Sequence, residues 1–294
     1  MSHSTLTQLA LQERTRREIL HKSDLSPPLP DLVARLLGVL NKKETEPADL
    51  ESLLQNDQVL VAKMLAMVNS PFYGLNRTIR TIKEAVMVLG FRGVRSLVLA
   101  TSTAKFLQRD FSCYGHSPKG LWLHAASVAA GSRRLAKACK LTLDEAELLF
   151  VTGLLHDIGK LLLVSYLNEA VAVARPAAPI RDQERAMIGI DHAEAGALVT
   201  AKWNLAPEIQ QVIRAHHETT SETKGSNWTA IVRLADVVAH ERGTGYEAAK
   251  APVEKLQAGD LAVLGLTEET WPRVRDDLAA AMDEAVAALG SLSA

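Results

Sequence analysis

Apolar residues recur at three- and four-residue spacing along most of this chain, and nowhere do they alternate long enough to predict a strand. Residues 1–24 are polar and helix-compatible, and Leu25-Ser26-Pro27-Pro28-Leu29-Pro30 then breaks any helix. The pattern predicts a leader followed by a rigid, extended lead-in. Leu32, Val33, Leu36, Leu37 and Leu40 make one helical face, with Asp31 as a fair N-cap. Pro47 suits the first turn of a helix carrying Leu50, Leu53 and Leu54, and a further apolar helix runs from about Val59 to Val68. Thr81–Leu89 and Val94–Leu107 predict two more helices, parted by a turn at Gly90.

Phe111–Lys119 reads as the connection between two helical lobes. Beyond it, helices are predicted over Leu121–Lys140, from Thr142 through the apolar run around His156, from Asp191 to near Trp203, from Pro207 to His217, over Trp228–Arg242, and from about Trp271 to Leu289. Thr142-Leu143-Asp144-Glu145 has the form of a capping box, and Asp191-His192-Ala193-Glu194 is an acidic variant of it. Arg175–Pro179 and Glu218–Asn227 read as loops. The expected fold is all-α: a two-lobed helical bundle over 25–240, with lobes at 25–110 and 116–240, and a C-terminal helical extension over 241–294.

Composition narrows the class. The 294 residues are 47% apolar and 23% charged, with only 4% aromatics, as suits a helical core of closely packed small side chains. A formal net charge of −1 gives no global field for nucleic acid or an anionic membrane. Cys113 and Cys139 form no disulfide framework and no CxxC pair. No signal-peptide core is found in Met1–Lys22, and no uninterrupted apolar run reaches the roughly 18 residues of a membrane span. A cytoplasmic protein without a membrane span is expected.

The polar residues inside the apolar runs carry the chemistry. His156-Asp157 interrupts Leu148–Val164, His124 lies on the stripe Leu121, Ala125, Val128 and Leu135, and Asp236 interrupts Ile231–Ala239. His192 opens a helix, and His216-His217 ends one. His3, His21 and His116 sit in polar or loop contexts and call for no special role. Burying an imidazole beside a carboxylate is costly unless both are satisfied, whether by a metal, a hydrogen-bond network or an opening to solvent. Singly, each residue has a structural alternative: His216 and His217 could meet a helix C-terminal dipole, and Asp236 could pair with Arg233 or His240. As a set, five imidazoles and two carboxylates suit Mn, Fe, Ni, Co or Zn.

The order His124 … His156-Asp157 … Asp236 resembles the H…HD…D signature of the HD superfamily of metal-dependent phosphohydrolases. His192-Ala193-Glu194-Ala195-Gly196 and His216-His217-Glu218 are similar to the middle of the HD-GYP cyclic di-GMP phosphodiesterases, although no Gly-Tyr-Pro follows. Leu25–Pro30, Gln55-Asn56-Asp57, Ala66–Tyr73, Ile82–Gly90 and Trp203–Pro207 resemble the HDOD domain, over about 25–240. The resemblance implies two divalent metal ions. One would be held by His124, His156, Asp157 and Asp236, the other by His192, His216 and His217, with Asp157 bridging. In an active enzyme Asp157 and Lys160 would serve catalysis, with Lys160 facing the substrate phosphate. Gly120 stands where three-metal relatives have Glu, so no third ion is expected.

HDOD relatives act mostly in bacterial signalling, and many lack hydrolase activity. The resemblance therefore implies a regulatory module that binds a signalling protein partner or a nucleotide. The alternative is a two-metal phosphodiesterase or phosphohydrolase acting on a cyclic or linear nucleotide. Arg77, Arg80, Lys83, Arg92 and Arg95 form a local basic region, more readily a solvated face than a nucleic-acid surface.

Overall fold

The computed structural model describes residues 12–19, 31–40, 46–54, 57–70, 73–167, 179–218, 227–247, 256 and 258–290. Leu25–Pro30, the segment over 175–178, the segment over 219–226, and Gln55, Asn56, Pro71 and Phe72 of the quoted motifs lie outside them. In chain order the helices are α1 over 12–19, α2 Asp31–Leu40, α3 Pro47–Leu54, α4 Gln58–Val68, α5 Ile82–Leu107, α6 Gly120–Ala138, α7 Leu143–Leu155, α8 Lys160–Leu163, α9 Ile180–Ile188, α10 His192–Lys202, α11 Pro207–Ala215, α12 Asn227–Glu241, α13 Ala258–Val263 and α14 Trp271–Gly290. Among the described residues there is no strand, only one antiparallel bridge between His116 and Tyr246. The all-α expectation holds.

Side-chain caps set several helix starts where the sequence placed them. Asp57 accepts from the Leu60 N–H at 2.9 Å, and Thr81 accepts from the Glu84 N–H at 3.1 Å. Thr142 and Glu145 form the full reciprocal capping box of α7. Asp191 caps α10 by accepting from the Glu194 N–H at 2.8 Å. Gly90 divides α5 with φ 69°, a left-handed conformation that costs little only for glycine. α9 was not anticipated, because its sequence Ile-Arg-Asp-Gln-Glu-Arg-Ala-Met-Ile is polar at most positions.

The first lobe folds α2, α3 and α4 onto α5. Asn69 ends α4 and closes the following loop: its amide nitrogen donates to the Leu65 and Ile79 carbonyls, and its oxygen accepts from the Ile79 N–H at 2.6 Å. In the second lobe α6 is central, packed between α7, α12 and α14. Its small residues allow this closeness. A Cβ on Gly131 would lie 2.2 Å from the Met282 methyl and 3.1 Å from the Ala235 Cβ.

One core runs continuously from α2–α5 into α6, α7, α10 and α11, so the lobes share an interior. A second gathers Val128, Leu149, Ile231, Leu234, Trp271, Leu278 and Met282 behind α6. The lobes also meet where the Arg133 guanidinium, paired with Glu147 at 2.7 Å inside the second lobe, lies 4.9 Å from the ring centre of Tyr73 in the first. α1 folds back onto the second lobe: Ile19 is buried, Gln12 donates to the Ala186 carbonyl, and Arg16 pairs with Glu194 at 3.1 Å.

α5 is long and apolar enough, by length and composition, to cross a membrane, which the sequence reading did not anticipate. Half of its apolar window is buried here, and Gly90 interrupts its helical geometry, so in this fold it is a core helix.

A backbone contact places the polar residues of the second lobe. A Cβ on Gly159 would lie 1.9 Å from the His192 carbonyl oxygen and 2.5 Å from the Gly196 nitrogen, so the turn before α8 lies directly on α10. Neither obstacle is a flexible side chain. Gly159→Ala is expected to destabilise the protein by about 3 kcal/mol and lower its melting temperature by roughly 5–10 °C. A thermal melt indistinguishable from wild type would contradict this contact.

Candidate metal centre

Each of the seven expected donors is delivered by a helix or a helix end. His124 lies in the second turn of α6, and α7 terminates at His156 with Asp157 next in the following turn. His192 is the first residue of α10, His216 is the C-cap of α11 followed by His217, and Asp236 lies inside α12. All but His217 are buried, with relative exposures of 0–2%. The structure brings all seven together.

They form two groups that share Asp157. In the first, His124 Nε2 lies 3.7 Å from Asp157 Oδ2 and 3.0 Å from Asp236 Oδ1. His156 Nε2 lies 3.4 Å and 3.6 Å from the same two oxygens. In the second, donor atoms of His192, His216 and His217 lie within 4.8 Å of one another. His192 Nε2 is 3.3 Å from Asp157 Oδ1. The Asp157 carboxylate therefore turns one oxygen to each group.

The tautomers follow from the hydrogen bonds at the far side of each ring. His156 Nδ1–H donates to the Gly153 carbonyl at 2.7 Å, and His216 Nδ1–H donates to the Ile213 carbonyl at 2.6 Å. Each leaves an Nε2 lone pair facing the pocket. Among the described residues, His156 Nε2, His216 Nε2, both His124 nitrogens and Asp236 Oδ1 are buried with no hydrogen-bond partner. Orphaned buried polar atoms are expensive, and inward lone pairs such as His156 Nε2 and His216 Nε2 are what a metal satisfies. Metal–ligand distances of about 2.0–2.2 Å place neighbouring donors about 2.8–3.6 Å apart, which matches the 3.0–3.7 Å separations of the first group. The donor set fits divalent metal ions. Of the three ways to satisfy His156-Asp157, the internal network leaves inward atoms unmet, and both residues are themselves buried.

Electrostatics keep most donors in the ligating state. Burial pushes His124 down to about 4 and His216 down to about 3, so both rings are neutral near pH 7. His217 is also held well below its ordinary value, by burial and then by His216 and His192. Burial would raise the Asp157 carboxyl, but Lys160, His156 and His192 hold it well below the usual range. Asp236 is likewise opposed by burial yet held low by His240, His124 and His156. His156 is the exception: burial works against its charge, but Asp157 and Asp236 outweigh it and raise the pKa.

Lys160 is buried, with its Nζ 2.6 Å from Asp157 Oδ2 and 5.2 Å from the centre of the Tyr114 ring. Asp236 pairs with His240 at 3.1 Å, while Arg233, the other sequence-proposed partner, pairs with Asp260. His240 also faces the first group, but both ring nitrogens are engaged: Nδ1 donates to the Asp236 carbonyl at 3.0 Å and Nε2 accepts from the Tyr246 hydroxyl at 2.9 Å. A side chain at position 120 would meet the Gly245 carbonyl at 1.9 Å, so no further donor fits there. Arg77, Arg80, Lys83 and Arg92 are exposed, and Arg92 pairs with Asp144 at 3.2 Å.

Three residues around the pocket were missed or misread. His116 is no surface loop residue: it is buried, its ring stacked on Tyr246 at 4.2 Å. The chain reversal that joins them spans 130 positions, beyond any local spacing rule. Glu184 is fully buried, and its Oε2 accepts from both the His192 N–H at 2.9 Å and Nδ1–H at 2.7 Å. Its signal was available, because it lies four residues from both Ile180 and Ile188 on the apolar face of α9.

An all-helical pocket built on adjacent His and Asp, with further His and Asp from neighbouring helices, defines the HD type of fold. The HDOD domain family matches residues 26–219, and the chain belongs to that family. It is similar to an HDOD domain protein of unknown function from Geobacter sulfurreducens, with a TM-score of 0.74 and 25% identity over 97% of this chain and 99% of that one. It is also similar to a protein from Shewanella amazonensis SB2B provisionally named a phosphohydrolase, with a TM-score of 0.72 and 25% identity over 94% of this chain and 98% of that one. An uncharacterized protein of Treponema pallidum is 28% identical over 219 residues, 71% of this chain. The chain spans 41% of that relative's length.

The imidazole pKa values give a pH dependence for metal-free protein. His124 and His216 titrate at about 4 and about 3 when folded, against about 6.5 when unfolded. Between those values the unfolded chain binds more protons, so stability rises with pH. The contribution is fully present above about 6.5 and is lost as pH falls towards about 4. His156, with its raised pKa, has the opposite sign, and its contribution is lost as pH rises. With chelator present, melting temperature is expected to fall from pH 7 to pH 5. An unchanged or higher value at pH 5 would show these rings to be accessible to protons in the fold.

Proposed function

We propose that the chain is an HDOD signalling module whose second lobe holds two divalent metal ions in a closed pocket, with its output made through a protein partner. The observation that carries this reading is the division of the Asp157 oxygens between two donor groups that are almost wholly buried. His124, His156, Asp157 and Asp236 would hold one ion, and His192, His216 and His217, with Asp157, the other. Imidazole-rich donors favour Mn, Fe, Co, Ni or Zn over Mg or Ca. A hydrolytic metal site keeps a position open to water and substrate, whereas these donors are sealed from solvent except at His217.

A second reading, a two-metal phosphohydrolase, is favoured by Lys160 and His217. Two ions in such a site clamp a phosphoryl oxygen and activate water. In that reading the Lys160 ammonium, now 2.6 Å from Asp157, would bind a substrate phosphate oxygen. The half-buried His217 would mark the side from which substrate enters. The name of the Shewanella relative points the same way.

Elemental analysis and turnover separate these readings. Protein purified without oxygen or chelator is expected to carry about two ions per chain, with the count falling in Asp157→Ala. With Mn or Fe supplied, it is expected to release no phosphate from phosphomonoesters and to leave cyclic dinucleotides and nucleotides intact. Robust turnover abolished by Asp157→Ala would replace the signalling reading with the hydrolase. A chain that stays metal-free on titration would end both.

A further inference from the structure

Glu184 is fully buried and belongs to neither donor group, yet each of its oxygens has a partner. Oε2 accepts from the His192 N–H and Nδ1–H, at 2.9 Å and 2.7 Å. Oε1 accepts from the Tyr114 hydroxyl at 2.8 Å. Tyr114 ends the short 3-10 turn Ser112–Tyr114, in the connection between the lobes, and its ring lies beneath the Lys160 ammonium that pairs with Asp157. With the Nδ1 proton committed to Glu184, His192 turns Nε2 towards Asp157 Oδ1, 3.3 Å away, and towards His217 Nε2, 2.8 Å away.

We propose that Glu184 is the positioning residue of the second metal group, and that through Tyr114 it ties that group to the connection between the lobes. The inference rests on the metal-pocket reading above. A carboxylate that accepts from the remote nitrogen of a ligating imidazole fixes its tautomer and orientation and makes it a stronger donor. By reciprocity, whatever the second ion gains from the Tyr114–Glu184–His192 chain, the interlobe turn gains from the ion. Glu184 therefore gives the pocket a hydrogen-bonded path to the connection between the lobes.

The test is a zinc(II) titration of the full chain against a competing chelator. Glu184→Gln keeps the shape but loses the charge, and is expected to weaken the second of two sites about tenfold, with Glu184→Ala reaching about 100-fold. The first site is expected to keep its affinity in both. Tyr114→Phe is expected to weaken the second site a few-fold, and zinc should no longer slow amide exchange at Ser112–Tyr114. Wild-type affinity at the second site in Glu184→Gln would overturn the proposal. So would an equal loss at both sites, the mark of a merely structural carboxylate.

If wild type takes up no zinc, the metal reading fails and the orientation of His192 is still measurable. In metal-free protein its Nδ1 proton is expected as a slowly exchanging, downfield NMR signal that moves upfield in Glu184→Gln. An unmoved signal would overturn the role of Glu184 independently of metal.

Discussion

Removing a carboxylate from water costs several kcal/mol unless opposite charge or metal surrounds it, and the second lobe is arranged around one such group. Asp157 is buried, with the Lys160 ammonium on one oxygen and imidazoles about both. These neighbours hold it ionised against a desolvation that would otherwise neutralise it. The compensation is incomplete, since acceptors of His124, His156, His216 and Asp236 still point inward without partners. A divalent cation at each group would remove that deficit, so the same few residues that burden the fold are the ones suited to hold metal.

Bringing five helices to one carboxylate needs backbones to approach more closely than ordinary side chains allow. Gly153 abuts α6 at the Val128 carbonyl, Gly159 abuts α10 at the His192 carbonyl, and Gly120 abuts the Gly245 carbonyl. Each contact lies within a few residues of a donor, so packing and ligand geometry are set by the same positions. The His116–Tyr246 bridge then secures the end of α12 to the start of α6, with Tyr246 also donating to His240 behind Asp236. The first donor group thus has hydrogen-bonded neighbours of its own, as His192 of the second has Glu184.

Much of this was legible in the sequence because its signals are local. Three- and four-residue apolar spacing gave the helices, Thr142–Glu145 and Asp191–Glu194 gave two helix starts, and Gly90 gave a turn that the backbone makes at positive φ. The donors were visible as polar residues that an apolar face does not tolerate without a partner. Glu184 escaped because charged neighbours on both sides made its helix look solvated, although Ile180 and Ile188 place it on the buried face. His116 and Tyr246 escaped for a different reason. They are distant in sequence and meet only through the chain reversal at Gly243–Glu247, for which no periodicity exists. The sharing of Asp157 between groups is likewise a property of how α6, α7 and α10 bring His124, His156 and His192 to one carboxylate, and the resemblance could imply it only by analogy.

The burial of the donors also bears on what the pocket is for. Ions held between α6, α7, α10, α11 and α12 would cross-link those helices, and occupancy at 1,000 times the dissociation constant adds about 4 kcal/mol to the folded state. That is a substantial share of the roughly 5–15 kcal/mol that holds a domain together. Because one core runs through both lobes, such a gain would reach the first lobe through packing. On the proposed reading, such leverage on the fold and such restricted access to solvent would serve to set a conformation rather than to exchange substrate and product. Turnover would require the helices around His217 to part in every cycle, at the expense of the contacts that hold the donors in place.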